Sequence, residues 1–219
     1  QNGGDEFRPD IVIFINGLPL SYIEVKQPNA IRDGKTAIQS EQSRTAVRFE
    51  NRRFRRFNNI TQLISFSDNL PYISGQGQQK QGSFYCSNAF SKTKFNAFKE
   101  EREEELIYSI RSLGEEEIDA VLKDVNRFAL KSQPEFKTNQ DPSTPCNTFI
   151  SSLYQKERLL FLLRYGLAYV EEHSKDGTIQ LQKHVMRYPQ FFATKAIEDA
   201  IGKGVKKGVI WHTQGSGKT

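Results

Sequence analysis

The sequence predicts an α/β protein, and three features carry that prediction. Two strand-forming runs, residues 11–15 and 20–25, flank Asn16-Gly17, a strong short-range signal for a β-hairpin. Stretches with helical patterning follow, near residues 31–56, 96–130 and beyond Ser152. The last twelve residues, GVIWHTQGSGKT, set a compact apolar strand directly before a glycine-rich loop.

Composition bounds the problem. A chain of 219 residues can hold one large domain or two modest ones, each with its own core. Its 37% hydrophobic and 26% charged residues describe a polar but foldable globular protein. No apolar run approaches the roughly 18 residues of a spanning helix, and no signal peptide is visible, which excludes a membrane partner. Cys86 and Cys146 lack metal-ligand spacing and read as reduced thiols of a cytoplasmic protein. The net charge of +5 is compatible with an anionic partner without identifying one.

The remaining elements follow from punctuation. The polar stretch 31–56 reads as helix, and Leu63-Ile64-Ser65-Phe66 as a further strand. Residues 74–83, SGQGQQKQGS, form a Gly/Gln loop. Helix is expected over 96–130, with Glu100 to Glu105 as a solvated acidic run, broken at Pro142 and Pro145. Ser152 and Gln155 have the spacing of a capping box, and Leu160, Leu163, Leu167 and Val170 then form a core stripe. Asp176-Gly177 marks a turn, and a short helix over 191–201 leads to the strand GVIW. The chain starts at Gln1 and stops inside a loop that needs a following helix, so it is expected to be a piece of a larger protein.

The hairpin carries Asp10 at one end and Glu24 and Lys26 at the other, and such charges are costly in a buried ribbon unless paired. A two-residue loop would set Asp10 opposite Ile23 and turn Glu24 and Lys26 to the other face. A three-residue loop, with Gly17 left-handed and bulged, sets Asp10 opposite Tyr22 and gathers all three charges on one face. The bulged register is therefore expected. Two neighbouring carboxylates repel unless a divalent cation lies between them, and oxygen ligands with open water positions suit Mg²⁺. Lys26 beside such an ion could orient or deprotonate a water attacking a phosphodiester. The same residues also serve as a structural ion pair, and P-D-x13-E-x-K alone does not separate the two readings.

The loop GSGKT after a strand is a stronger signal. Backbone N–H groups of Gly215, Ser216 and Gly217 would cradle phosphates, Lys218 would reach the outer phosphates and Thr219 would bind Mg²⁺. Gln190, within RYPQFF, could read an adenine edge or lie at the surface. Arg44, Arg48, Arg52 and Arg53 crowd a window interleaved with Phe49, Phe54 and Phe57, which suits phosphate contact and equally suits a solvated helix face.

Taken together, RPDIVIFINGLPLSYIEVKQP, FNNITQLISFSDN, KERLLFLLRYGLAYV and GVIWHTQGSGKT, in this order, resemble the amino-terminal part of the motor and cleavage (R) subunit of type I restriction endonucleases. The resemblance covers essentially the whole chain. It implies a mixed-sheet PD-(D/E)xK nuclease core flanked by helices over 1–172, then the start of a RecA-like superfamily 2 helicase and translocase domain over 173–219. On that basis Asp10 and Glu24 would hold Mg²⁺, Lys26 would be the catalytic lysine, and Gln190 would join residues 215–219 in binding ATP. Relatives carry Gln-x-x-x-Tyr on the helix after the lysine; here Gln39 is followed at that spacing by Ser43 and Gln42 by Ala46, so Gln39 is carried over with the motif incomplete. The implied partners are duplex DNA and the methylation and specificity subunits, with S-adenosylmethionine used only by the methylation subunit. Later helicase motifs lie beyond Thr219, so this segment alone is not expected to hydrolyse ATP. A non-catalytic DNA-binding or assembly module and a stand-alone repair nuclease-helicase are the competing readings.

Overall fold

A computed structural model describes residues 6–73, 80–88, 93–173 and 176–212. Loop residues 74–79 and the phosphate-loop candidates Gly215, Ser216, Gly217, Lys218 and Thr219 lie outside the described residues. In chain order the elements are β1 (Ile11–Ile15), β2 (Leu18–Val25), β3 (Ile31–Arg32), β4 (Lys35–Thr36), α1 (Ala37–Glu50), α2 (Arg55–Ile60), β5 (Leu63–Ser67), β6 (Ser83–Cys86) and β7 (Asn96–Phe98). There follow α3 (Glu115–Asp124), α4 (Pro134–Asn139), α5 (Pro145–Leu153), α6 (Lys156–Tyr165), β8 (Leu167–His173), β9 (Ile179–Val185) and α7 (Tyr188–Gly202). Five strands form a mixed sheet in the order β1-β2-β5-β6-β7, with β2 and β5 parallel and the other pairs antiparallel.

The first hairpin is irregular, but not where expected. Asn16 (φ 50°) and Gly17 (φ 78°) are both left-handed and close a two-residue turn in which Ile15 pairs with Leu18. The extra residue is Leu20: Phe14 pairs with Pro19 and Ile13 with Ser21. Pro19 has no N–H to give, so the ladder loses a donor there in any case. Beyond the bulge Ile11 pairs with Ile23, so the register runs on to set Asp10 opposite Glu24 rather than Tyr22. The two registers differ by two residues and therefore present the same face.

Residues 31–36, expected as helix, instead form a small hairpin turning on Asp33 (φ 50°) and Gly34 (φ 69°). Thr36 then caps α1: its Oγ1 accepts from the Gln39 N–H (3.2 Å), while the Thr36 N–H donates to Gln39 Oε1 (2.9 Å). The long helix expected over 96–130 is largely absent. Asn96–Phe98 becomes β7 because pairing with β6 buries Phe98 in the core, and regular α-helix appears only in α3. Within the acidic run, Glu100 is buried and accepts from Arg158 Nη1 at 2.7 Å. The expected capping box also fails: Ser152 lies in the last turn of α5, where its Oγ accepts from Arg158, and a fresh helix, α6, starts after Gln155. Leu159, Leu162 and the ion-paired Arg158 are the buried residues of α6, whereas Leu160 and Val170 are exposed and Leu167 opens β8.

Alternation along the strands divides the core in two. On one face Tyr22, Ile64 and Cys86 pack with Phe7, Phe49 and Phe57, and Phe66 and Phe84 pack with Ile38 of α1. On the other, Leu63, Tyr85 and Phe98 pack with Phe149 and Leu153 of α5, Leu162 of α6, and Phe191 and Phe192 of α7. The second face also carries a polar seam. Tyr154 Oη donates to Ser65 Oγ (2.8 Å) and lies 2.8 Å from Ser21 Oγ, which itself donates to the Leu63 carbonyl (2.7 Å).

The β8–β9 hairpin is joined to the sheet by hydrogen bonds from Tyr85 Oη to the Met186 carbonyl (2.7 Å) and from Asn96 Nδ2 to the Val185 carbonyl (3.1 Å). Lys183 on β9 donates to Gln62 Oε1 and, at 3.1 Å, to Asn88 Oδ1.

Two stability measurements follow. Tyr154→Phe leaves two buried serine hydroxyls short of a partner and is expected to cost about 1–3 kcal/mol in chemical denaturation. Burial pushes Lys183 down to about 8 from the ordinary 10.5. Between those values the unfolded chain holds a proton the native one lacks, so the Lys183 contribution becomes more favourable as pH rises across that window, and the penalty is full below it. The melting temperature of Lys183→Gln relative to the unaltered chain should therefore be highest below pH 8 and fall towards pH 10.5.

Candidate active site

Parallel pairing of β2 and β5 brings their carboxyl ends together, and the Lys26 N–H donates to the Ser67 carbonyl at 2.8 Å. α1 crosses the same end of the sheet. Its buried stripe runs Ile38, Glu41, Thr45 and continues to the half-buried Arg48, spaced at one helical turn. Ile38 fills the core, Thr45 lies against Glu41, and Glu41 and Arg48 reach Lys26 and Glu24 at the end of β2.

The result is a compact charge cluster. Lys26 Nζ lies 2.5 Å from Glu24 Oε2 and 3.1 Å from Glu41 Oε2. Arg48 Nη1 donates to Glu41 Oε1 at 2.5 Å and lies 3.9 Å from Glu24 Oε1, while its guanidinium stacks 4.2 Å above the Phe7 ring. The Glu41 side chain is fully excluded from solvent and that of Glu24 is 6% exposed. Two carboxyl groups thus face two basic side chains. Burial pushes the Glu24 carboxyl above its ordinary range, opposed by the hydrogen bond and charge of Lys26. Two buried oxygens, Glu24 Oε1 and Glu41 Oε2, have no hydrogen bond.

Asp10 stands at the cluster's edge. It is solvent-exposed, and its Oδ2 accepts from the Val25 N–H at 2.8 Å, which holds it against the end of β2 opposite Glu24. Among the described residues no group of three or more His, Cys, Asp and Glu side chains is gathered tightly enough to hold a metal. The oxygen donors on offer are thus a carboxylate pair, a number that suits Mg²⁺, which commonly keeps several waters and takes one or two carboxylates plus substrate phosphate.

The other expected residues fall as follows. Gln39 is engaged in the α1 capping box. Gln42 accepts from Lys80 at 3.1 Å, and its buried Nε2 has no hydrogen bond. Arg44 is exposed and 3.9 Å from Glu41, Arg48 is turned into the cluster, and Arg52 and Arg53 are exposed on a 3-10 turn after α1. The interleaved Phe54 and Phe57 pack edge-on against Phe7 beneath that turn. Near it Arg52, Arg55, Asn58 and Asn88 line a polar pocket of about 270 Å³. Gln190 sits in the first turn of α7, where its Oε1 accepts from the Arg187 N–H at 3.0 Å. Residues 208–212 form no strand pairing among the described residues, and Val209 and Trp211 are 89% and 90% exposed.

The sequence reading missed Glu41. Its signal was available: on a helix whose buried stripe begins with Ile38, the next three positions of that stripe are Glu, Thr and Arg, and charged residues are almost never fully buried unless paired.

Comparison with known proteins now has a structure to act on. Residues 1–104 match the family model described as type I restriction enzyme R protein N terminus, and residues 189–219 match that of the SWI2/SNF2 ATPase. The first of these matches takes in the whole charge cluster, from Asp10 to Arg48. Over residues 1–104, then, this mixed α/β chain is similar to the N-terminal part of type I restriction enzyme R proteins. A Methanocaldococcus jannaschii protein named as the MjaIXP endonuclease subunit of a type I restriction enzyme is 23% identical over 221 aligned residues, covering 97% of this chain. The MjaVIIP endonuclease subunit of the same organism is 46% identical over 67 residues, covering 28% of this chain. The chain spans 17% and 6% of the length of these two relatives. No solved structure matches it significantly. No described helix is long and apolar enough to cross a membrane.

Removing one cation should separate the buried pair from the exposed one. Arg48→Met leaves Glu41 short of its closest partner and is expected to cost about 3–5 kcal/mol in metal-free chemical denaturation. Arg44→Met, at an exposed position, should cost under about 1 kcal/mol in the same measurement.

Proposed function

We propose that this chain carries the nuclease centre of a type I restriction enzyme R subunit, of the PD-(D/E)xK class, and that it cleaves duplex DNA with Mg²⁺ held by Asp10 and Glu24. The observation that carries this reading is the buried Glu24 carboxylate, with one oxygen lacking a hydrogen bond, set beside Lys26 and opposite Asp10 within the segment that matches the R protein family. When bound, the ion would supply Lewis-acid stabilisation of charge developing on the phosphodiester oxygens. Lys26 orients the attacking water, which adds to phosphorus as the P–O bond to the leaving oxygen breaks. Exposed Arg44, Arg52 and Arg53 hold backbone phosphates, and the polar pocket beside Arg52 extends that surface.

Residues from 173 onward form the start of an ATP-driven motor. The SWI2/SNF2 match over residues 189–219 supports this. Gln190 and residues 215–219 then bind ATP and its Mg²⁺. Translocation feeds DNA to the nuclease in a complex with methylation and specificity subunits; the two relatives, named as endonuclease subunits of type I restriction enzymes, support a role as one subunit of such an enzyme.

In the full-length protein within its complex, Lys26→Ala should reduce cutting to a small residual rate while ATP-driven translocation continues, and Lys218→Ala should halt translocation first. Normal cutting by Lys26→Ala would overturn the assignment. A second reading, a non-catalytic assembly module, is favoured by one observation: Lys26 already bridges Glu24 and Glu41 as a closed ion network. Titration with Mn²⁺ discriminates, since the nuclease reading requires a site that Asp10→Asn removes and the assembly reading requires none.

A further inference from the structure

Glu41 is the most buried charged group in the cluster, and the nuclease reading gives it no task. It offers both oxygens to cations: Oε1 is fixed by Arg48 at 2.5 Å, and Oε2 faces Lys26 at 3.1 Å. Arg48 is itself held by stacking on Phe7. The Glu41 carboxylate is thus immobilised from one side and presented to Lys26 on the other. Lys26 meanwhile makes its shorter contact, 2.5 Å, with Glu24. That contact is one a divalent ion on Glu24 would oppose, because the ion and the ammonium compete for one carboxylate and repel each other.

We infer that Glu41 is the positioning residue of the nuclease centre: it tethers Lys26 when Glu24 is given over to the divalent cation. The inference rests on the proposed nuclease reading and adds to it a second anion, placed on α1 rather than on the hairpin. Charge supports the assignment. With Asp10, Glu24, Glu41 and one phosphodiester on one side, and a divalent ion, Lys26 and Arg48 on the other, four negative charges meet four positive ones. Without Glu41, Lys26 would have no anion to hold it once Glu24 is given over to the cation, and it would leave towards solvent. Asp10, Glu24 and Glu41 do not converge as one metal group, which fits a tether better than a third ligand.

The test uses the full-length R subunit in its complex, with folding followed by thermal melting, Mn²⁺ affinity by the resonance signal of the free ion, and DNA cleavage at saturating Mn²⁺. Glu41→Gln should bind Mn²⁺ within about twofold of the unaltered protein yet cut about a hundredfold more slowly, the scale of one positioned acid-base group. Glu41→Asp should recover part of the rate. Because Glu41 acts through Lys26, the double variant Lys26→Met/Glu41→Gln should cut no more slowly than Lys26→Met alone. Unchanged cutting by Glu41→Gln overturns the inference, as does a loss that extra Mn²⁺ restores, which would make Glu41 a ligand. Multiplied losses in the double variant overturn it too, by making the role structural. If Glu41→Gln fails to fold, Glu41→Asp decides: a reduced rate with unchanged Mn²⁺ affinity supports the tether, and an unchanged rate overturns it. Failure of the nuclease reading is separately visible, since Lys26→Met would then cut normally whatever Glu41 does.

Discussion

Two carboxyl groups, Glu24 and Glu41, lie almost wholly out of water at the junction of β2 and α1, each within ion-pair distance of Lys26 and Arg48. Stripping a carboxylate of water without compensation costs far more than one domain's net stability. The helix therefore cannot slide or rotate against the sheet without separating charges that nothing else nearby would satisfy. This constraint fixes the angle at which α1 leaves the small β3–β4 hairpin and the depth at which Arg48 reaches over Phe7. Well-packed apolar residues would join a helix to a sheet at least as firmly. Four ionisable groups at a strand end are therefore an arrangement that stability alone does not demand, and that supports reading the junction as a site.

The opposite face of the sheet solves a different problem. Serines on the central strands β2 and β5 would leave hydroxyls stranded in the core, and Tyr154, arriving from the end of α5, meets Ser21 and Ser65 at once. Aromatic packing from Phe98, Phe149 and Phe192 surrounds that seam and closes the layer. The faces thus divide their work: hydroxyls and aromatic rings brace the α5 side, and the ionic cluster occupies the α1 side at the sheet's carboxyl end. A candidate site built this way has a rigid floor, because the strands that carry Glu24 and Lys26 are pinned from beneath.

The proposed nuclease and the proposed motor are joined through α7. Its Phe191 and Phe192 sit in the same core as β6 and β7, while its exposed side borders the stretch that leads to residues 208–212. Movement of a motor segment would therefore bear directly on the sheet that carries the cluster. The match to type I restriction enzyme R proteins over residues 1–104 takes in that sheet.

Much of this was legible in the residues themselves. Asn16-Gly17 marked the hairpin, though as a two-residue turn rather than the three-residue loop expected, and alternation puts Glu24 and Lys26 on one face in any register, with Asp10 joining them whether it stands opposite Tyr22 or Glu24. The apolar run from Leu63 to Phe66 could only be a buried strand. What the sequence did not fix was anything set by partners distant in the chain. The bulge fell at Leu20 rather than Gly17 because pairing on both sides of β2, with β1 and with β5, decides where the ladder yields. Asn96–Phe98 became a strand because an edge beside β6 was open to it, against its helical pattern. Glu41 joined the cluster because α1 packs across β2, bringing together residues fifteen or more positions apart in a polar stretch that by itself reads as solvated helix. Local backbone chemistry determined the turn and the face; burial, which exists only once the layers meet, decided which charges would have to find one another.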